Sequence, residues 1–117
     1  MAYVDGFVVA VPKANLEAYK ALARTAGEVW KEHGALAYVE CVGDDVPYGE
    51  VTSFPRAVQA KDDEIVVFSW IVFESREKRD AVNAKVMADP RLKDDMANMP
   101  FDAKRMIYGG FQAVIEM

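Results

Sequence analysis

Residues Ile65 to Phe73 read Ile-Val-Val-Phe-Ser-Trp-Ile-Val-Phe, so both alternating sets of side chains are apolar and Ser69 is the one interruption. A strand of this kind is covered on both faces. Tyr3 to Val11 alternates more loosely, is rich in Val and Phe, and is blocked by Pro12, which predicts a second long strand. From Asn15, placed as an N-cap, the residues Leu16, Tyr19, Leu22, Ala23, Ala26, Val29, Trp30 and His33 recur at steps of three and four and draw an apolar stripe along a helix that Gly34 ends. Ala35 to Val42 is a strand with Leu36, Tyr38, Glu40 and Val42 on one face and Ala35, Ala37, Val39 and Cys41 on the other; the small set is expected under a helix.

The connection from Gly43 to Asp63 is too long for a plain turn, and Arg56 to Ala60 within it is read as a short strand. Ser75 is the N-cap of a helix through about Ala88, with Val82 and Val86 on its buried side. Asp89-Pro90 stops that helix and starts a further turn, which Leu92, Met96, Met99 and Phe101 anchor to the body. Gly110 to Met117 alternates as the last strand. The order is strand, helix, strand, strand, helix, strand, the ferredoxin-like βαββαβ arrangement of the α+β class, an antiparallel sheet with helices on one face. A faint repeat relates Gly6 to Val11 and Gly110 to Ile115. With 117 residues there is too little helix to cover both sheet faces, so the second face is expected to pack on another copy and close a dimeric α/β barrel.

Composition narrows the class without naming a reaction. An apolar content of 52% is ample for one domain spanning residues 1–117, and the net charge of −5 argues against a general nucleic-acid binder. Charge is uneven: residues 1–74 hold 6 Lys or Arg against 12 Asp or Glu, and residues 75–105 hold 8 against 6, a mild basic bias that a solvated helix face accounts for. Cys41 is the single cysteine, which fits a reducing compartment, and neither a signal peptide nor a membrane-spanning stretch is read. A soluble cytoplasmic protein is expected, with no membrane partner.

No complete catalytic or cofactor motif is present. One His and one Cys do not make a zinc site, and Asp44, Asp45 and Glu50 lack calcium-loop spacing, so no metal and no cofactor is expected. Gly109-Gly110 lacks phosphate-loop spacing. His33 is the default general acid or base, against a competing role in satisfying the carbonyls at its helix end. Asp5 shares a face with Tyr3 and Phe7, and Glu40 with Tyr38, which places both carboxylates between the two sheets of a dimer as candidate proton-transfer groups, or else paired with Arg105 or Lys104. Trp70 is a candidate aromatic wall or a core residue. Arg105 and Tyr108 are candidates for holding an anionic group at a cavity mouth, or for fastening the preceding loop. The candidate pocket is therefore Asp5, His33, Tyr38, Glu40, Trp70, Arg105 and Tyr108.

Tyr3-Val4-Asp5-Gly6-Phe7, Trp30-Lys31-Glu32-His33-Gly34-Ala35-Leu36, Thr52-Ser53-Phe54-Pro55, Phe68-Ser69-Trp70 and Met99-Pro100-Phe101-Asp102-Ala103-Lys104-Arg105-Met106-Ile107-Tyr108-Gly109-Gly110-Phe111 resemble the YbaA-like bacterial family, a domain of unknown function. The resemblance spans essentially the whole chain and implies the dimeric α/β-barrel fold. It carries over no catalytic residue. By analogy of fold alone, it allows small-molecule binding or cofactor-independent catalysis of oxygenase or isomerase type. The alternative is a non-catalytic ligand-binding or stress-related interaction protein. RNA binding fits poorly, because the apolar sheet face is committed to pairing and the charge has the wrong sign.

Overall fold

A computed structural model describes the backbone of residues 1–117 and the side chains of residues 1–93 and 98–117. Four strands, β1 (Tyr3–Pro12), β2 (Ala37–Val42), β3 (Glu64–Phe73) and β4 (Ile107–Gln112), form one antiparallel sheet in the order β2-β3-β1-β4. The helices are α1 (Leu16–His33), α2 (Phe54–Ala57), α3 (Arg76–Met87) and α4 (Pro90–Ala97). This is the ferredoxin-like arrangement that the order of elements predicts, and the two most apolar segments, β1 and β3, are its central pair.

The sheet has two distinct faces because side chains alternate along each strand. On one face Val9, Val11 and Val67 pack against Tyr19 and Ala23 of α1. Beside them Ile71 and Phe73 meet Ala26, Val29, Val82, Val86 and Leu92 from α1, α3 and α4. On the outer face Val8, Ala10 and Val66 are covered by Val58, just after α2. The chain thus covers one end of its own outer face. Phe68, Ile107 and Phe111 at the other end remain exposed.

Several expectations are corrected at the level of local structure. The bulky side of β2, Tyr38 and Glu40, lies beneath the helices, and Cys41 is exposed on the other side. Glycine in α1 makes this reversal fit: a Cβ on Gly27 would come within 2.8 Å of the Tyr38 ring, so the missing side chain is the space that the ring occupies. Asn15 makes no cap hydrogen bond; a 3₁₀ turn precedes α1, and the Asn15 amide donates instead to the Pro100 carbonyl at 3.1 Å. Residues 56–60 do not form a strand, because Ser53 accepts from the Arg56 N–H and Pro55 starts a helical turn. The last strand runs from Ile107 to Gln112 and not from Gly110 to Met117; beyond its last pair, Tyr3 with Gln112, the Ala113 N–H donates to the Ala2 carbonyl at 3.0 Å, near the start of the chain. Gly34, at φ 121°, closes α1 as expected. Met96 lies outside the residues whose side chains are described.

Candidate functional site

Between the helix layer and the sheet lies a cavity of about 560 Å³. Its walls are mainly apolar. Phe7, Val9 and Ile71 form the sheet side, Leu22, Ala23, Ala26 and Trp30 the α1 side, and Met99, Phe101 and Met106 come from the segment that returns to β4. Tyr108, 73% exposed, and Met87 sit where the cavity meets solvent.

Two polar groups interrupt this lining. The first is Glu40, whose Oε1 accepts from the Tyr19 hydroxyl at 2.7 Å and whose Oε2 accepts from the Tyr38 hydroxyl at 2.6 Å. Burial, reinforced by the Glu40 charge, raises both phenol pKa values far above their ordinary range, so both remain protonated donors. Ser69, the interruption in the apolar run, is the β3 residue directly opposite Glu40 and also lines the cavity. The second group is Asp5, 6% exposed, which accepts from Arg79 Nη1 at 2.7 Å. Burial raises the Asp5 pKa, while attraction to Arg79 and hydrogen bonding with Asn83 oppose the rise. Asn83 in turn accepts from Trp30 Nε1 at 3.0 Å, and the Arg79 guanidinium lies 4.9 Å from the centre of the Tyr3 ring.

The structure brings Asp5, Tyr38, Glu40 and Tyr108 to one cavity and leaves His33, Trp70 and Arg105 out of it. The two carboxylates face the helices, not a second sheet as expected: Glu40 because of the way β2 is turned, and Asp5 because its side of β1, shared with Phe7 and Val9, is the side the helices cover. His33 Nε2 lies 3.0 Å from Asp89 Oδ2, and Arg91 bridges Asp89 to Glu32, so His33 ties the end of α1 to the start of α4. Trp70 is on the outer face, against Phe68. Arg105 fastens a loop: it makes paired bonds of 2.8 and 2.7 Å to Glu64 and further bonds to Asp102 and the Gln59 carbonyl.

The Arg105–Glu64 pair has a testable consequence. Hydrogen bonds from Arg105 hold the Glu64 pKa at about 2, below its ordinary 4.5. A carboxyl depressed on folding contributes stability above the unfolded pKa and loses it as pH falls through the folded one. Glu64→Gln is therefore expected to be less stable than wild type at pH 7, with the gap closing as pH falls from 4.5 towards about 2. Urea midpoints measured across that interval check it; a gap independent of pH would contradict it.

Arg79, Asn83 and Tyr19 are the site residues that reading the sequence missed. A signal was present. Arg79 and Asn83 stand at helical spacing with Val82 and Val86 on the inward side of α3, and Tyr19 lies within the apolar stripe of α1. Polar groups on a buried helix face need partners, and here the partners are carboxylates on β1 and β2. Among the described residues no group of three or more His, Cys, Asp or Glu is arranged to hold a metal ion, and no helix is long and apolar enough to cross a membrane.

The chain is 56% identical over 116 residues to the uncharacterized protein YbaA of Escherichia coli K12, covering 99% of each. Among solved structures it is similar to a dimeric ferredoxin-like protein from an uncultured marine organism, with TM-score 0.60, 13% identity and coverage of 99% and 98%. It is also similar to SnoaB, a cofactor-independent oxygenase from Streptomyces nogalater, with TM-score 0.52, 19% identity and coverage of 99% and 94%. At these identities the two structures speak to the fold. The family described as "Protein of unknown function (DUF1428)" matches residues 2–103, and with the full-length likeness to YbaA this establishes that the chain belongs to that family.

Proposed function

We propose that this protein binds a small molecule in the cavity between the helices and the sheet, and that Glu40 accepts a proton from it. The observation that carries this reading is a carboxylate held on a mostly apolar wall by two phenol hydroxyls. An ionised carboxylate has about four acceptor positions, and the two phenols use two of them. The remaining acceptor capacity attracts an O–H or an acidic C–H in surroundings that hold few competing polar groups.

The chemistry that follows needs no group beyond the side chains. Glu40 removes a proton from a carbon beside a carbonyl, and its return at another carbon is an isomerisation. If dioxygen adds to the carbanion instead, the resulting peroxide anion takes the proton back from Glu40, which is the oxygenase outcome. The likeness to SnoaB, a cofactor-independent oxygenase, supports the second only as an analogy of fold.

A thermal-shift and calorimetric screen of phenols, quinones and small carboxylates, run on wild type and Glu40→Gln, tests the reading. The variant keeps the shape and removes the charge. Affinity is expected to fall tenfold or more, the value of a hydrogen bond to a charged group, while the unfolding free energy falls by only about 1 kcal/mol. Equal affinity in both proteins would remove Glu40 from the site and favour binding without proton transfer.

We also propose that the chain is a homodimer. Val4, Phe68, Trp70, Ile107 and Phe111 line a second apolar hollow on the outer sheet face, bordering the Val8 cluster that Val58 covers. Apolar surface of this kind marks an interface, and the dimeric ferredoxin-like neighbour supports pairing. A stable contact should bury more than about 1,200 Å² in total.

A further inference from the structure

We propose that the cavity selects neutral ligands and rejects carboxylates of the same shape, placing a ligand carbonyl at Arg79 and a ligand hydroxyl at Glu40. This rests on reading the cavity as a ligand site and specifies what that site accepts.

Among the described residues, the charged ones lining the cavity are Asp5, Glu40 and Arg79, two acids against one base. The base is already engaged. Arg79 donates from Nη1 to Asp5 and from Nε to Asp80, each at 2.7 Å. Among the described residues its Nη2 has no hydrogen-bond partner, so the donors of that nitrogen remain for an incoming oxygen. A ligand carboxylate at that nitrogen would lie a few ångströms from the Asp5 carboxylate, and at the effective dielectric of a protein interior the repulsion offsets most of the attraction to the guanidinium. The anion would also surrender its hydration to an apolar wall, with Glu40 adding a second repulsion. A carbonyl oxygen takes the same hydrogen bond without either cost.

Glu40 sets the other end. As an ionised acceptor it favours a hydroxyl donor over any second anion. The strand register sets the span. Glu40 stands opposite Ser69, which stands opposite Phe7, and Asp5 is two residues along β1. Two interstrand spacings and two residues of rise separate the Cα atoms of Glu40 and Asp5 by about 12 Å. With both side chains turned into the cavity, the gap between them suits a two-ring molecule that carries its oxygens at opposite ends.

Two naphthalenes of matched shape test this at pH 7: 6-hydroxy-2-acetonaphthone, which is neutral, and 6-hydroxy-2-naphthoate, which is anionic. Isothermal titration of wild type is expected to show the ketone binding at least tenfold more tightly. Asp5→Asn keeps the side-chain shape and removes the charge competing for Arg79, so the naphthoate should gain at least tenfold and draw level with the ketone. A gain of affinity cannot arise from a damaged fold. Naphthoate binding wild type as tightly as the ketone would overturn the charge rule and leave the cavity as a ligand site. An unchanged gap in Asp5→Asn would overturn it as well. Failure of both compounds to bind would overturn the ligand-site reading along with it.

Discussion

Phe73→Ala is expected to lower the unfolding free energy by about 3–5 kcal/mol, the usual cost of truncating a buried phenylalanine. The Phe73 side chain is fully buried at the end of β3, packed with Val29 of α1 and with Val82 and Val86 of α3. It therefore lies where both long helices meet the sheet. The buried residues around it are aliphatic, and the partly buried Tyr3, Phe7, Trp30 and Tyr38 pack against that cluster. For a chain of this size the loss corresponds to a fall in melting temperature of more than about 10 °C. Urea denaturation at matched protomer concentration is the measurement, with the midpoint moving and the slope unchanged. A loss below about 1 kcal/mol would mean that β3 does not pack beneath α1 and α3 as described.

Trp70→Asp is expected to yield a folded monomer. Trp70 is one residue from Ile71 but on the opposite face, away from the helices, where it touches Phe68 and lines the outer apolar hollow. In the proposed dimer that face is covered, and a lone carboxylate there costs several kcal/mol. A loss of that size weakens association by at least a hundredfold. Light scattering at micromolar concentration should report half the wild-type mass, with helical circular dichroism retained. Ile71→Asp supplies the contrast, because the same charge placed under the helices should unfold the chain. Wild-type mass and melting temperature in Trp70→Asp would overturn the interface.

How much of this was legible in the sequence depended on whether a feature is encoded locally. The two-sided apolarity of Ile65 to Phe73 required a central strand, and it became β3, hydrogen-bonded on both sides. The helical stripe from Leu16 to His33 became α1 with its capping glycine, and Ser75 capped α3 by accepting from the Lys78 N–H at 3.1 Å. Glu40 was singled out as a polar residue on a bulky strand face. Its contact with Tyr38, two residues along the same face, is local; its contact with Tyr19 was not readable, because Tyr19 lies 21 residues away and on a different element.

Alternation along β2 separated Tyr38 and Glu40 from Ala37, Val39 and Cys41, and the sequence by itself determined that partition. Period two says which residues share a face; it does not say which face turns inward. Gly27, in the preceding helix, decided that by leaving room for the Tyr38 ring. The pairing of Asp5 with Arg79 was settled in the same way, across 74 residues, when β1 and α3 came together. Local periodicity determined the elements, their order and their apolar faces. The packing of helices on the sheet decided that Glu40 meets Tyr19 and that Asp5 meets Arg79, because these groups become neighbours only after the chain has folded.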